Sequence, residues 1–104
     1  MRAHMGTYAY VWEFFVRPEK APLFERLYGP DGDWVALFRC AQGHIDTLLL
    51  KDRAVANRYV TVDRWESEEA YERFRKAFAE EYQSLDERCQ ELTVQERSLG
   101  VYQG

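Results

Sequence analysis

RYVTVDRWESEEAYERF, residues Arg58 to Phe74, reads as a strand, a two-residue turn and a helix, and the rest of the chain can be arranged around it. Tyr59, Val60, Thr61, Val62 and Trp65 are β-branched or aromatic, the side chains that suit a pleated, half-buried surface. Ser67 stands where a helix N-cap should stand, with a hydroxyl able to accept from an unpaired backbone N–H. Glu68 and Glu69 then set negative charge against the positive end of the helix dipole. Downstream, Tyr71, Phe74, Phe78, Tyr82, Leu85, Cys89 and Leu92 recur at helical spacing and form one apolar stripe. Ser84 followed by Glu87 is a capping-box pattern, so a helix break near Gln83-Ser84 is expected, with Leu85 to Leu92 as a separate short helix. Thr93 to Tyr102 reads as the last strand.

Upstream, Tyr8 to Arg17 is a strand whose even residues (Tyr8, Tyr10, Trp12, Phe14, Val16) and odd residues (Ala9, Val11, Phe15) are both apolar, with Glu13 the sole interruption. Pro18 ends it. Pro22 suits a helix start, with Leu23, Phe24, Leu27 and Tyr28 at helical spacing until Gly29-Pro30-Asp31-Gly32 stops it. A second short helix begins near Asp33 and carries Trp34, Leu37 and Phe38. Gly43 to Asp52 is the second strand, and the short polar loop to Arg58 favours an antiparallel hairpin. The order is β, α, short α, β, β, α, β. This is an α+β, ferredoxin-like βαββαβ pattern with an antiparallel four-stranded sheet.

The chain has 104 residues, which bounds it to one compact domain, read as residues 8–102 after a leader or cloning remnant at 1–7. A net charge of −4 with no basic cluster argues against nucleic acid and anionic membrane as partners. No apolar run approaches about 20 residues, so nothing reads as a membrane span. Cys40 and Cys89 lie far apart in apolar patterns and read as a reduced pair, which, with no signal peptide in MRAHM, suggests a cytoplasmic protein. Three Trp, seven Tyr and six Phe exceed what a small core hides easily, so a cavity, an interface or both are expected.

The helical pieces suffice for one face of the sheet. Val11 and Phe15 on the other face would meet water in a lone chain, with Leu49 as a neighbour if its strand shares that exposure. The simplest solution is a homodimer in which two sheets pack face to face. Glu13 then sits near the seam with Arg97 as ionic partner. The plainer alternative leaves Glu13 in solvent at a strand edge.

VWEFFVRP, LYGPDGDW with LFR, RYVTVDRWES followed by AYERFR, and LDERCQELT together resemble the antibiotic biosynthesis monooxygenase family of the dimeric α/β-barrel superfamily, over about Tyr8 to Tyr102. The resemblance implies a homodimer, each protomer with a cavity between sheet and helices. It also implies O2-dependent oxidation of phenolic polycyclic compounds without a cofactor in some members, haem degradation in others, and no assigned activity in many. Haem degradation, which that resemblance ties to an Asn in the first strand and a Trp and His on the long helix, finds none of these residues here.

A cofactor-free oxygenase needs an apolar cavity for a flat phenol, a group to take its proton and donors to hold the anion. His44, Tyr71 and Arg64 are the candidate catalytic residues. Trp12, Tyr10, Phe24, Trp34, Phe74 and Tyr82 are the candidate substrate contacts, the ligand being a small aromatic. The plainer readings are core packing for the aromatics, a solvated histidine for His44 and a salt bridge for Arg64. Trp65 reads as a packing plug. The two His and two Cys lack metal-ligand spacing, and no phosphate loop or nucleophile motif stands out, so no metal or other cofactor is expected. The alternative to an oxygenase is a non-catalytic dimeric domain of the same fold that binds small molecules or serves in stress.

Overall fold

Ser67 caps the helix that the Arg58–Trp65 strand feeds: its Oγ accepts from the Ala70 N–H at 3.0 Å. The computed structural model describes residues 7–104. Strands β1 (Tyr8–Val16), β2 (His44–Lys51), β3 (Arg58–Trp65) and β4 (Thr93–Gln103) form one antiparallel sheet in the order β2-β3-β1-β4. Helices α1 (Ala21–Tyr28), α2 (Asp33–Phe38), α3 (Glu68–Ala77) and α4 (Ala79–Cys89) complete the ferredoxin-like α+β pattern, with 3-10 turns at Pro18–Lys20 and Gln90–Leu92. Apart from Thr7, the expected leader lies outside the described residues. Thr7 accepts from the Gly104 N–H at 2.9 Å, which extends the β1–β4 ladder. None of the described helices is long and apolar enough to cross a membrane, and both cysteines are free.

The even residues of β1 face the helices, and Phe14 and Val16 join Phe24, Tyr28, Tyr59, Trp65, Phe74 and Leu92 in the core. The β2–β3 hairpin is held at its loop by Asp52, whose carboxylate accepts from the Ala54 and Val55 N–H groups at 2.7 and 2.8 Å. Asn57 takes the left-handed conformation there, φ 65°, which Asn tolerates better than most residues. At the other end of β2, Gly43 has φ +105°, and a Cβ on it would lie 2.6 Å from the Ala70 Cβ. Only glycine lets the strand start this close to the first turn of α3.

The helix break falls at Phe78 (φ −118°, ψ 33°), not at Gln83-Ser84, and Ser84 lies inside α4. No side chain caps the Phe78 junction, and hydrogen bonds run through it from Phe78 N–H to Phe74 O and from Tyr82 N–H to Phe78 O, at 2.9 and 2.8 Å. The break therefore has no local sequence signal. Leu49 packs against the core, whereas Leu48 and Leu50, each 49% exposed, share the bare sheet face. A one-residue offset exchanges the two faces of a strand, and an irregularity between His44 and Asp46 sets the offset here.

Glu13 is not in solvent at an edge. It lies on a central strand and is 1% exposed. Arg97, directly opposite on β4, donates to its Oε1 at 2.7 Å, and Arg58 on β3 donates to its Oε2 at 2.7 Å. Together the two guanidinium groups engage both carboxylate oxygens. Loss of hydration pushes its pKa up, but the hydrogen bonds and charges of Arg97 and Arg58 prevail and hold it below the ordinary carboxylate range.

Candidate active site

A cavity of about 290 Å³ opens between the helix-facing side of the sheet and the helices. Tyr10, Trp12 and Phe14 of β1 and Thr61 and Asp63 of β3 form its floor, with Thr47 of β2 and Glu96 of β4 at the sides. Tyr28, Trp34 and Phe38 wall one end; Tyr71 and Arg75 of α3 and Tyr82 and Asp86 of α4 complete the rim. The walls are flat aromatic surfaces, suited to a flat apolar ligand.

The sequence candidates separate. Tyr10, Trp12, Trp34, Tyr71 and Tyr82 line the cavity. Phe24 and Phe74, 0% and 1% exposed, are core residues behind the wall, because their helix positions point into the sheet contact. Arg64 lies on the opposite face of the sheet and forms a bidentate pair with Asp46, 2.7 Å at both contacts. The alternation of β3 sends it there: Thr61, Asp63 and Trp65 face the helices, so Arg64 cannot. That register removes Arg64 from the cavity of its own chain. His44 is not on the cavity wall but one hydrogen bond behind it, its Nε2 2.9 Å from the Thr47 Oγ1.

Burial moves the phenols of Tyr28, Tyr71 and Tyr82 further above their ordinary range. The Tyr71 pKa is driven well up by burial, opposed only in part by Arg75, and Tyr82 is pushed up to about 12 chiefly by burial. Tyr71 is therefore a hydrogen-bond donor rather than a base near neutral pH. Arg75 donates to the Tyr71 hydroxyl at 3.1 Å, and its guanidinium lies 3.8 Å from the centre of the Tyr82 ring. This fixed cation is the natural holder of an anionic oxygen. His44 is lowered by burial and by the Arg39 charge, so its neutral form prevails. The Trp34 ring lines the cavity wall, while its indole N–H is buried on the side of Tyr28 and Cys89, away from the open space.

Asp63 is not among the sequence candidates. It is a half-buried carboxylate that lines the cavity. Burial raises its pKa to about 6, against the Thr47 hydrogen bond, which lowers it. Strand alternation carried the signal: an acid two residues from Thr61 and two from Trp65 shares their buried face. Arg75, Thr47 and Glu96 had no comparable mark, since each meets the others only through tertiary contact.

The sequence model of antibiotic biosynthesis monooxygenases matches residues 7–88. No curated protein matches the chain significantly. Among solved structures, SnoaB from Streptomyces nogalater, a cofactor-independent oxygenase, is 21% identical, with 95% of this chain and 93% of SnoaB covered and a TM-score of 0.63. A provisionally assigned antibiotic biosynthesis monooxygenase from Nitrosomonas europaea is 10% identical over 100% of this chain and 95% of that one, TM-score 0.73. A NIPSNAP family protein from Agrobacterium tumefaciens is 13% identical over 100% and 90% of the two chains, TM-score 0.71. At these identities the structures establish the fold alone.

Proposed function

We propose an activity from one premise: this chain belongs to the antibiotic biosynthesis monooxygenase family. The protein is a cofactor-independent monooxygenase that takes a small phenol- or quinol-like aromatic into the cavity between sheet and helices. The observation that carries this reading is the aromatic-walled cavity with Arg75 locked over Tyr82 and onto Tyr71. A flat substrate lies among Trp12, Trp34 and Tyr82, and Arg75 with the Tyr71 hydroxyl holds the oxygen that becomes negative when the substrate loses a proton. The electron-rich anion then reduces O2. For a ring methylene conjugated with a carbonyl through the fused arene rings, as in anthrone, CH2 becomes C=O, one oxygen atom enters the product and the other leaves as water with the two hydrogens. The substrate carbon supplies all the electrons, so no external reductant is required.

Oxygen uptake with a panel of anthrone- and quinol-type compounds tests this. Wild type is expected to consume O2 and convert anthrone-type compounds to the quinone with one oxygen atom from O2, and Arg75→Leu is expected to lose on the order of 10-fold in kcat/KM, less than for a dry site because Arg75 is exposed at the rim and water screens its charge. No uptake with any compound, together with measurable binding of the aromatic products, would replace the enzyme by a small-molecule-binding domain of the same fold.

The working unit in this reading is a homodimer closed through the bare sheet faces. Leu48 and Leu50, each 49% exposed, pair across from Val62 and Val60 there, and none of the described helices covers that face. In sedimentation velocity at micromolar concentration, wild type is expected to run as a dimer and a Leu48→Lys/Leu50→Lys variant as a monomer. A stable wild-type monomer would remove the dimer.

A further inference from the structure

We propose that Asp63 is the proton acceptor of the cavity, and that Thr47 and His44 form the route by which the proton leaves. The substrate class, an aromatic with an acidic ring methylene or hydroxyl, rests on the oxygenase reading above; the geometry does not.

Thr47 and Asp63 are direct cross-strand partners on β2 and β3. The Thr47 hydroxyl donates to Asp63 Oδ1 at 2.8 Å, and His44 Nε2 lies 2.9 Å from the same Thr47 oxygen. Because that hydroxyl spends its hydrogen on Asp63, its oxygen is free to accept, which assigns the Nε2–H tautomer to His44 at rest. Among the described residues no ion pair involves Asp63: the neighbouring arginine on its strand turns to Asp46, and Arg58 and Arg97 turn to Glu13. Nor does any described hydrogen bond use its second oxygen. A carboxylate on a cavity floor, without a counter-ion and with one oxygen uncommitted, is placed to take a proton from whatever occupies the cavity.

The steps balance. A substrate C–H or O–H bond breaks, its electron pair stays on the substrate as an enolate or phenolate facing Arg75, and the proton binds Asp63. When His44 has exchanged to its Nδ1–H form, Thr47 rotates, takes the Asp63 proton and passes its own hydrogen to Nε2. Loss of the Nδ1 hydrogen to solvent from the half-buried His44 restores the resting arrangement. The charged and titratable groups sharing this cavity with Asp63 are Tyr10 of β1, Tyr28 of α1, Tyr71 and Arg75 of α3, Tyr82 and Asp86 of α4, and Glu96 of β4. Burial opposes the ionised Asp63 and the Thr47 hydrogen bond favours it.

Hydrogen–deuterium exchange of the anthrone methylene in D2O without oxygen, followed by proton NMR, isolates proton removal from oxygenation. Wild type is expected to accelerate the exchange over buffer, and Asp63→Asn to reduce the protein-catalysed part by about 100-fold or more, the usual weight of a positioned base. His44→Gln should slow exchange with solvent while leaving its pH midpoint in place, because the abstracted proton returns to the substrate. Thr47→Val should slow it and also move the midpoint to higher pH, since Asp63 loses the hydrogen bond that favours its anion; this readout stands even if the Asn variant folds poorly. Exchange by a folded Asp63→Asn variant within about threefold of wild type, or no acceleration by wild type, overturns Asp63 as acceptor. An unchanged rate in His44→Gln overturns the exit route. Exchange without oxygen uptake upholds Asp63 and sinks the oxygenase; uptake that is indifferent to Asp63 does the reverse.

Discussion

Trp65→Ala is expected to lower stability by about 3–5 kcal/mol, the usual range for truncating a large buried aromatic. Trp65 is 0% exposed. It closes the junction of β3 and α3 with ring centroids 5.1 Å from Phe74, 5.7 Å from Phe38, 5.5 Å from Tyr71 and 5.2 Å from His44. Its removal leaves a hole that all of these neighbours border, and two of them orient the site: Tyr71 on the cavity wall and His44 behind Thr47. For a domain of this size the loss corresponds to a fall in Tm of about 15 °C or more. Trp65→Phe is the informative control. It keeps most of the ring contact and deletes an indole N–H that is buried without a partner, so it should cost under about 1.5 kcal/mol. Urea unfolding of the two variants checks both values. An alanine variant within about 1 kcal/mol of wild type would mean that Trp65 is not the plug between strand and helix.

Asp63→Asn is expected to stabilise the protein at neutral pH. The folded-state pKa of Asp63 is raised to about 6 from an ordinary value near 3.8, because burial disfavours the anion. Between those two values the native state holds more protons than the unfolded chain, so stability falls as pH rises through the window and levels off above about pH 6. The accumulated penalty at pH 7 is on the order of 2–3 kcal/mol, from about 1.4 kcal/mol per pKa unit. Asparagine keeps an oxygen for the Thr47 hydroxyl and carries no charge. The variant should therefore melt on the order of 10 °C higher than wild type at pH 7, and the gap should close by about pH 4. Equal melting at pH 7, or a gap that does not shrink on acidification, would show that the carboxylate is solvated. If the same variant gains stability and loses proton abstraction, the charge is retained at a cost to folding because the chemistry uses it.

Much of the architecture was legible because it depends on neighbours in sequence. Ser67 with Glu68 and Glu69 marks a helix start wherever the chain goes. The β-branched and aromatic run from Tyr59 to Trp65 marks a strand, and its bounds, Arg58–Trp65, match the structure. The aromatic stripe from Tyr71 to Leu92 names the face of α3 and α4 that meets the sheet, although the bend at Phe78 had no cap or glycine to announce it. Glu13 and Arg97 could be paired on topology, since β1 and β4 adjoin in a ferredoxin-like sheet; the second partner, Arg58, could not.

The site was less legible for a specific reason. Composition promised a cavity, and Tyr10, Trp12, Trp34, Tyr71 and Tyr82 do line it, but aromatic side chains mark core and cavity alike, so Phe24 and Phe74 were indistinguishable from them. The polar groups followed the same logic in reverse. Arg64 and Asp63 are adjacent in sequence and opposite in space, one on the bare face beside Asp46 and one on the cavity floor.

Local chemistry, then, settles the strands, the capped helix and which side chains are greasy, because each depends on the alternation and hydrogen bonding of residues a few positions apart. Which acid faces the cavity, which hydroxyl it meets and which cation stands across from it depend on strand register. Register is set where β2, β3 and β1 come together from distant parts of the chain, and a shift of one residue would turn Asp63 out and Arg64 in.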